Sequence, residues 1–390
     1  MTTISTSGSP RAAMLDLDSH IQPCPETYEL VAGEIGAHYR QMFHDLLKSL
    51  PEDRAERVKK FAAPEIQEWN DSTVWTRKGS SAPGAVTAEG RLRTLDHMGV
   101  SRSLIFSDPG VQATAMGAGP LALPTMRHWN DFITEFSSLD PDRLRGVAIL
   151  NTVDHELALN EAKRVLGNGG RAFVLPSSIP PGHASPARKE MDSLWGLLEE
   201  ADATVCLHAG GEEGFLASQE WDDGVEHLKF DTIDYSAEGE QISPYLFSTM
   251  SLAPQNFVTL MVLGGVFERF PGLRFAAIEL GAHWLAPTAL HLDNVYKIFS
   301  RRFQGVLSML PSEYIRQNIR VTPYRIENVA DYVDRYGMAE CYCYSSDFPH
   351  PEGGNEPVKE FASNVSRLGE AFSSAFFSEN GEWVLPQLSR

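Results

Sequence analysis

The chain has 390 residues, 42% of them hydrophobic and 22% charged, which is a globular composition with ample material for a core. A formal net charge of -19 repels phosphate backbones and anionic bilayers, so it excludes nucleic acid and membrane surfaces from the expected partners. No apolar run reaches the roughly 20 residues of a membrane span, and four cysteines (Cys24, Cys206, Cys341, Cys343) are too few for a disulfide framework, so reduced thiols and a cytoplasmic location are expected.

Residues 1–13 open as a Ser/Thr/Gly-rich stretch with no hydrophobic segment behind a basic start. They read as a flexible tail, not a signal peptide, ahead of a domain over 14–390. From there, short apolar runs alternate with helical patterns. Strands are predicted at Met14–Asp18, Ser101–Phe106, Leu144–Leu150, Arg171–Leu175, Ala203–His208, Leu273–Glu279, Asn318–Thr322 and Cys341–Ser345. Between them, Ala88–Met98 carries Leu92, Leu95 and Met98 at helical spacing and stops at Gly99. Asp192 is placed to cap the helix that follows it. Strand–helix alternation repeated eight times predicts an α/β fold, a single (β/α)8 TIM barrel. Two stretches exceed its usual short loops and read as insertions after strands 1 and 5, at about 28–86 and 209–256. The second follows His208 directly. It is acidic (Glu212, Glu213, Glu220, Asp222, Asp223, Glu226) and holds Phe215, Trp221, Phe230, Tyr235 and Phe247. It reads as a lid or an oligomer contact.

Three strand ends carry metal-ligand chemistry. Asp18 and His20 are two residues apart, so extended backbone turns both to one face. His208 ends the fifth strand and Asp347 follows the eighth. Taken singly, each reads as a cap or a hydrogen-bonding residue; taken together, they form an N/O set for one divalent metal at the barrel mouth. Zinc and manganese lead a field that includes iron, cobalt and nickel. Asp16 shares the face of Asp18 and competes as a ligand, or else lies below the site as a buried hydrogen-bonding residue.

In this order, several motifs resemble the amidohydrolase-related family that contains aminocarboxymuconate-semialdehyde decarboxylase and the metal-dependent aromatic acid decarboxylases. They are Asp18-Ser19-His20, Arg91-Leu92 with Asp96-His97-Met98-Gly99-Val100, Trp129-Asn130-Asp131, Pro141-Asp142-Arg143, Asp192-Ser193-Leu194-Trp195, His208-Ala209-Gly210, Gly265-Val266-Phe267-Glu268-Arg269-Phe270-Pro271 and Ser346-Asp347-Phe348-Pro349-His350. The resemblance covers most of the chain. It implies a (β/α)8 barrel, a homodimer, and one divalent metal on Asp18, His20, His208 and Asp347. Two departures stand out. Pro23 occupies a position where many relatives have Glu, and Glu279 stands where the decarboxylases place a substrate-facing His.

The fourth strand ends Leu175-Pro176-Ser177, with no lysine to bridge two metals, so one metal is expected. Catalytic roles are assigned to Asp347 as proton carrier and to Glu279 and His283 as a local pair. The equal alternative for His283 is a helix-start residue satisfied by backbone. Of the rest, His350 shapes the loop after Asp347 or touches ligand. Cys206, Cys341 and Cys343 pack, Arg188 and Arg325 sit at the surface or bind a carboxylate, and His291 and Asp293 are structural. The expected function is non-oxidative decarboxylation of a small aromatic or unsaturated carboxylic acid. Alternatives are hydrolysis of an amide, lactone or related bond, and a non-catalytic ligand-binding barrel.

Overall fold

The computed structural model describes residues 14–178, 184–212, 214–216, 218, 221–228 and 242–388. The tail expected over 1–13, and Glu213, Glu220, Phe230 and Tyr235 of the second insertion, lie outside the described residues. Seven strands form one parallel sheet in chain order: β1 (Met14–Asp16), β2 (Val100–Ile105), β3 (Leu144–Ile149), β4 (Ala172–Val174), β5 (Thr204–His208), β6 (Arg274–Ile278) and β7 (Ile319–Val321). Helices connect them, as parallel pairing requires. The strands are short and almost wholly buried, which is why apolar residues lead in most of them, with Arg102, Arg145 and Arg320 as buried exceptions. Alternation still sorts their side chains into two apolar layers. Cys206, Ala276, Ile278 and Cys343 fall in one layer; Val205, Leu207, Phe275 and Ala277 fall in the other.

The eighth expected strand is a correction. Residues Ala339–Cys341 form a 3-10 turn, and the chain after them makes single bridges in place of a ladder. Cys343 N–H donates to Val321 O at 3.0 Å on the β7 side, and Leu17 N–H donates to Tyr344 O at 3.2 Å on the β1 side. Asp347 N–H reaches Asp18 O at 2.9 Å, and His20 N–H reaches Phe348 O at 2.6 Å. The segment therefore joins the last strand to the first and sets Asp347 beside Asp18.

Several resemblance motifs turn out to be clamps on this sheet. Trp129 Nε1 donates to Val147 O, and Asn130 bonds both N–H and C=O of Ile149. Arg143 donates to Val100 O and Ser101 O. The helix Ala88–Met98 ends at Gly99, whose φ of 72° is the left-handed stop the sequence suggested. Asp192 is not a cap. It is the first residue of the helix Asp192–Glu200 and receives the Arg269 guanidinium at 2.8–3.1 Å.

The segment expected at 28–86 contains the helices Tyr28–Ala32, Ile35–Ser49, Glu52–Phe61 and Asp71–Thr76. The stretch Pro244–Leu263 is long and apolar enough to cross a membrane by length and composition, which corrects the expectation from apolar runs alone. Interspersed Ser, Thr, Gln and Asn residues hide it from a search for unbroken runs. Phe257, Val258, Met261 and Val262 on it are buried in the core, as a helix of the protein interior would be.

Candidate metal centre

Asp18 and His20 lie just beyond β1, held extended by the bridges Ser19 to Phe348 and His20 to Phe106. Arg91, fully buried, fixes this stretch from behind. Its Nε donates to Gly84 O at 2.8 Å, its Nη1 to Ser19 Oγ at 3.0 Å, and its Nη2 to His20 O. Asp16 points below the site, where it accepts from Ser346 N at 2.8 Å, Ser346 Oγ at 2.7 Å and Asp18 N at 3.2 Å. Burial outweighs those bonds and pushes its carboxyl up to about 7.

The ends of β1, β5 and β6, with the bridged segment after Tyr344, deliver polar atoms to one cluster. His20 Nε2 is 3.2 Å from Asp18 Oδ1 and 3.5 Å from Asp347 Oδ1. His208 Nε2 is 3.3 Å from Asp18 Oδ1 and 3.6 Å from Glu279 Oε2. Both rings are oriented from outside. His20 Nδ1 lies 3.0 Å from Ser107 O, and His208 Nδ1 lies 3.0 Å from Ala209 O. A carbonyl only accepts, so each ring, when neutral, carries its proton on Nδ1 and turns the Nε2 lone pair inward. His20 Nε2 and Asp347 Oδ1 are buried beside ion-pair neighbours, Asp18 and His350, but neither makes a well-aligned hydrogen bond. Buried polar atoms left in that state are costly, and a cation among them resolves the cost.

The ligand-capable atoms fall into two overlapping sets, Asp18–His20–His208–Glu279 and His20–Asp347–His350, with all atoms of each set within 4.8 Å of one another. Glu279 thus stands among the possible ligands, beyond the proton-handling role expected of it. Glu279 and Asp347 both hold left-handed backbone, at φ 56° and 52°. Such positions cost non-glycine residues of order 1–3 kcal/mol and concentrate at functional sites.

Electrostatics separate the two aspartates. Burial would raise Asp18, but His208 and His20 hold its carboxyl well below the usual range. Burial and the Asp18 charge push Asp347 up to about 8. Burial and neighbouring His350 lower His20; burial would also lower His208, but Asp18 carries it up.

Sequence reasoning paired His283 with Glu279, and the structure does not bring them together. His283 Nδ1 faces Glu327 Oε1 at 3.4 Å, its Nε2 lies 3.4 Å from Ser251 Oγ, and the residue lines no part of the cavity described below. Gly281, at φ 67°, turns the chain between the two residues. What sequence reasoning missed is the connection behind Asp347. His350 Nδ1 is 2.9 Å from Asp347 Oδ1, and its ring stacks on His20 at 4.0 Å. His350 Nε2 is 3.2 Å from Gln22 Oε1, Gln22 Nε2 donates to Asp108 Oδ2 at 2.8 Å, and Tyr28 OH donates to Asp108 Oδ1. Only the nearness of His350 to Asp347 signals this in the sequence; Gln22 and Asp108 are distant and carry no motif.

Cys206, Cys341 and Cys343 are buried, as expected. Asp293 accepts from Ser312 N and Oγ at 2.9 and 2.8 Å, a structural role. Arg188 pairs with exposed Glu190, whereas Arg325 lines the cavity, with Nε on Glu352 O and Nη1 on Glu360. The cluster opens on a cavity of about 560 Å³ that also exposes Phe61, Ile242, Leu246, Phe247, Met250 and Tyr324.

The family profile for Amidohydrolase matches residues 103–386. The chain belongs to that family. A gamma-resorcylate decarboxylase from Polaromonas sp. (strain JS666 / ATCC BAA-500) is 24% identical over 272 residues, which is 66% of this chain and 76% of that protein. An amidohydrolase from Mycobacterium avium subsp. paratuberculosis K-10 superposes with a TM-score of 0.66 at 16% identity, over 97% of this chain and 100% of its own. A dihydroxybenzoic acid decarboxylase from Polaromonas sp. JS666, with bound manganese and the inhibitor 2-nitroresorcinol, gives 0.61 at 17%, over 96% of each chain. At these identities the structural likeness is one of fold, and it agrees with a curled parallel α/β sheet in this amidohydrolase.

Proposed function

We propose that this chain is a metal-dependent carboxy-lyase that removes carbon dioxide, without oxidation, from a small aromatic or unsaturated carboxylic acid. The observation that carries the reading is the convergence of Asp18, His20, His208 and Asp347, with imidazole lone pairs turned inward and two buried atoms that make no well-aligned hydrogen bond. The decarboxylase activity named for two of its relatives supports it. These four residues would hold one divalent ion, manganese or zinc, with Glu279 facing it from the end of β6. Such an ion supplies a Lewis acid that draws charge from a substrate carboxylate and an adjacent oxygen.

Asp347 carries the proton. Ionised while it faces the ion, it takes up a proton through His350 once substrate is bound and gives it to the carbon that bears the carboxylate, where a C–H bond forms. The bond to the carboxylate carbon then breaks, its electron pair returns to the unsaturated system, and carbon dioxide leaves. His350, beside Asp347, is positioned to return a proton to it. Hydrolysis of an amide or lactone is the second reading, favoured by Glu279, whose carboxylate suits water better than an anionic substrate.

The wider reading is a closed eight-unit barrel, completed by the segment after Tyr342, with insertions at 28–86 and 209–256. It is cytoplasmic, in keeping with four free buried cysteines. It is a homodimer, for which the exposed apolar side chains Ile298 and Phe299 at the end of the helix Leu285–Ile298 are candidate contacts; light scattering tests this.

The deciding experiment is carbon dioxide release by metal-loaded protein across hydroxybenzoates and muconate-like acids, beside a panel of amides and lactones. Release that a chelator abolishes is expected. Turnover of amides or lactones alone would install the second reading, and Glu279→Gln should then lose roughly a hundredfold or more.

A further inference from the structure

The cavity is too large and too apolar for a bare monocyclic acid. A cavity of about 150 Å³ already accepts benzene, whereas this one measures about 560 Å³. The metal-ligating cluster forms one wall, and two apolar surfaces run from it. On the β6 side, Tyr324 OH donates to Glu279 O at 3.2 Å and lies 3.0 Å from Met250 Sδ, while the Tyr324 ring packs on Phe247 at 4.5 Å. Ile242 and Leu246 continue that surface. On the Asp347 side, Gly79 N–H donates to Pro349 O at 2.9 Å. Phe61 packs so tightly on Gly79 that a side chain there would meet its ring at 2.5 Å.

Charge narrows the choice further. Beyond the carboxylates set around the ion, the cavity wall presents Asp108, Glu212 and Glu352, against Arg325 as the one arginine or lysine among the described lining residues. Arg325 already bonds Glu352 O and Glu360. A second carboxylate on the substrate would enter an acidic enclosure.

We infer that the substrate is a monocarboxylic acid whose reacting head meets the cluster and whose bulky, uncharged apolar extension, an alkyl chain or a second ring, lies along Phe61, Leu246, Phe247 and Met250. The inference rests on the carboxy-lyase reading for its acid head, and on the cavity alone for its extension.

Binding and turnover are therefore measured separately on manganese-loaded full-length protein. Calorimetry with 2-nitroresorcinol and its propyl and pentyl derivatives reads the extension without chemistry. Each buried methylene is worth about fourfold in affinity, so Kd should fall at least tenfold from parent to pentyl. A chain ending in carboxylate should lose that gain. Phe247→Ala and Phe61→Ala should each shrink the pentyl-to-parent ratio. Matched 2,6-dihydroxybenzoates bearing the same chains report carbon dioxide release. A Kd that stays level or rises with chain length overturns the extension, whatever the acids do. A falling Kd with no carbon dioxide from any acid sustains the extension and removes the carboxy-lyase reading. An unchanged ratio in both variants overturns the wall assigned to it.

Discussion

A carboxyl group buried beside a second carboxylate gives up its charge or finds a cation. Asp347 is in that position, and burial together with Asp18 pushes it up to about 8. To ligate a metal it must lose its proton, so at neutral pH metal binding releases one. The sign follows. Below about 8, apparent affinity for manganese should climb close to tenfold per pH unit for that proton, and flatten above. His208, carried up by Asp18 against the effect of burial, steepens the slope at the acid end; His20, lowered by burial, adds nothing near neutrality. Asp347→Asn has no proton to release. It should bind manganese more weakly at alkaline pH and with a shallower slope between about pH 6 and 8. Titrations by calorimetry check both, and an unchanged slope in the variant would assign the proton to another group. The same residue shows how far sequence reading reached. Asp18, His20, His208 and Asp347 were legible because each follows an apolar run. His350 was visible only as a neighbour, and Gln22 and Asp108 not at all, since their bonds span about 328 and 86 positions.

At the scale of elements, the end of β1 is the least self-supporting part of the site, since β1 itself covers only Met14–Asp16. Arg91 compensates from the helix Ala88–Met98 by donating to Gly84 O, Ser19 Oγ and His20 O. Its burial lowers the guanidinium to about 10, which still leaves it charged. Arg91→Ala should destabilise the fold by roughly 3 kcal/mol, because several buried acceptors lose their donor at once. It should also weaken metal binding at least tenfold through the loosened His20 backbone. Arg91→Lys should rescue neither, since a single ammonium cannot span three acceptors fixed for a guanidinium fork. Thermal melts and metal titrations on both variants test this; full rescue by lysine would reduce Arg91 to a source of charge. Seven strands were legible to within one or two residues because burial on both faces gives most of them a short apolar run, broken in β2 by Ser101, Arg102 and Ser103. The eighth was overcalled. Tyr342 and Tyr344 have the residue type of a strand, but the 3-10 turn before them and the lone bridges around them leave no ladder. His283 was misassigned for a related reason. Its partner Glu327 is 44 positions away and is set by how the β7 loop folds back.

Over the whole molecule, the net charge of -19 acts on the ion and the acid in opposite directions. A divalent cation approaches down the potential and a carboxylate substrate approaches against it. Physiological salt shortens the reach of that field to about 8 Å. Raising ionic strength should therefore weaken apparent metal affinity. At saturating metal, it should raise kcat/KM for an anionic acid, several-fold from low to physiological salt, with the change residing in the association step. Bound metal at a hundredfold its Kd adds about 2.7 kcal/mol to stability, so the melting temperature tells whether saturation has been kept as salt rises. Stopped-flow binding of a nitro analogue and initial rates across a chloride series measure the two halves separately. If kcat/KM fell with salt, the field at the cavity mouth would have to be locally positive. Arg325 would then be the group that meets the substrate first.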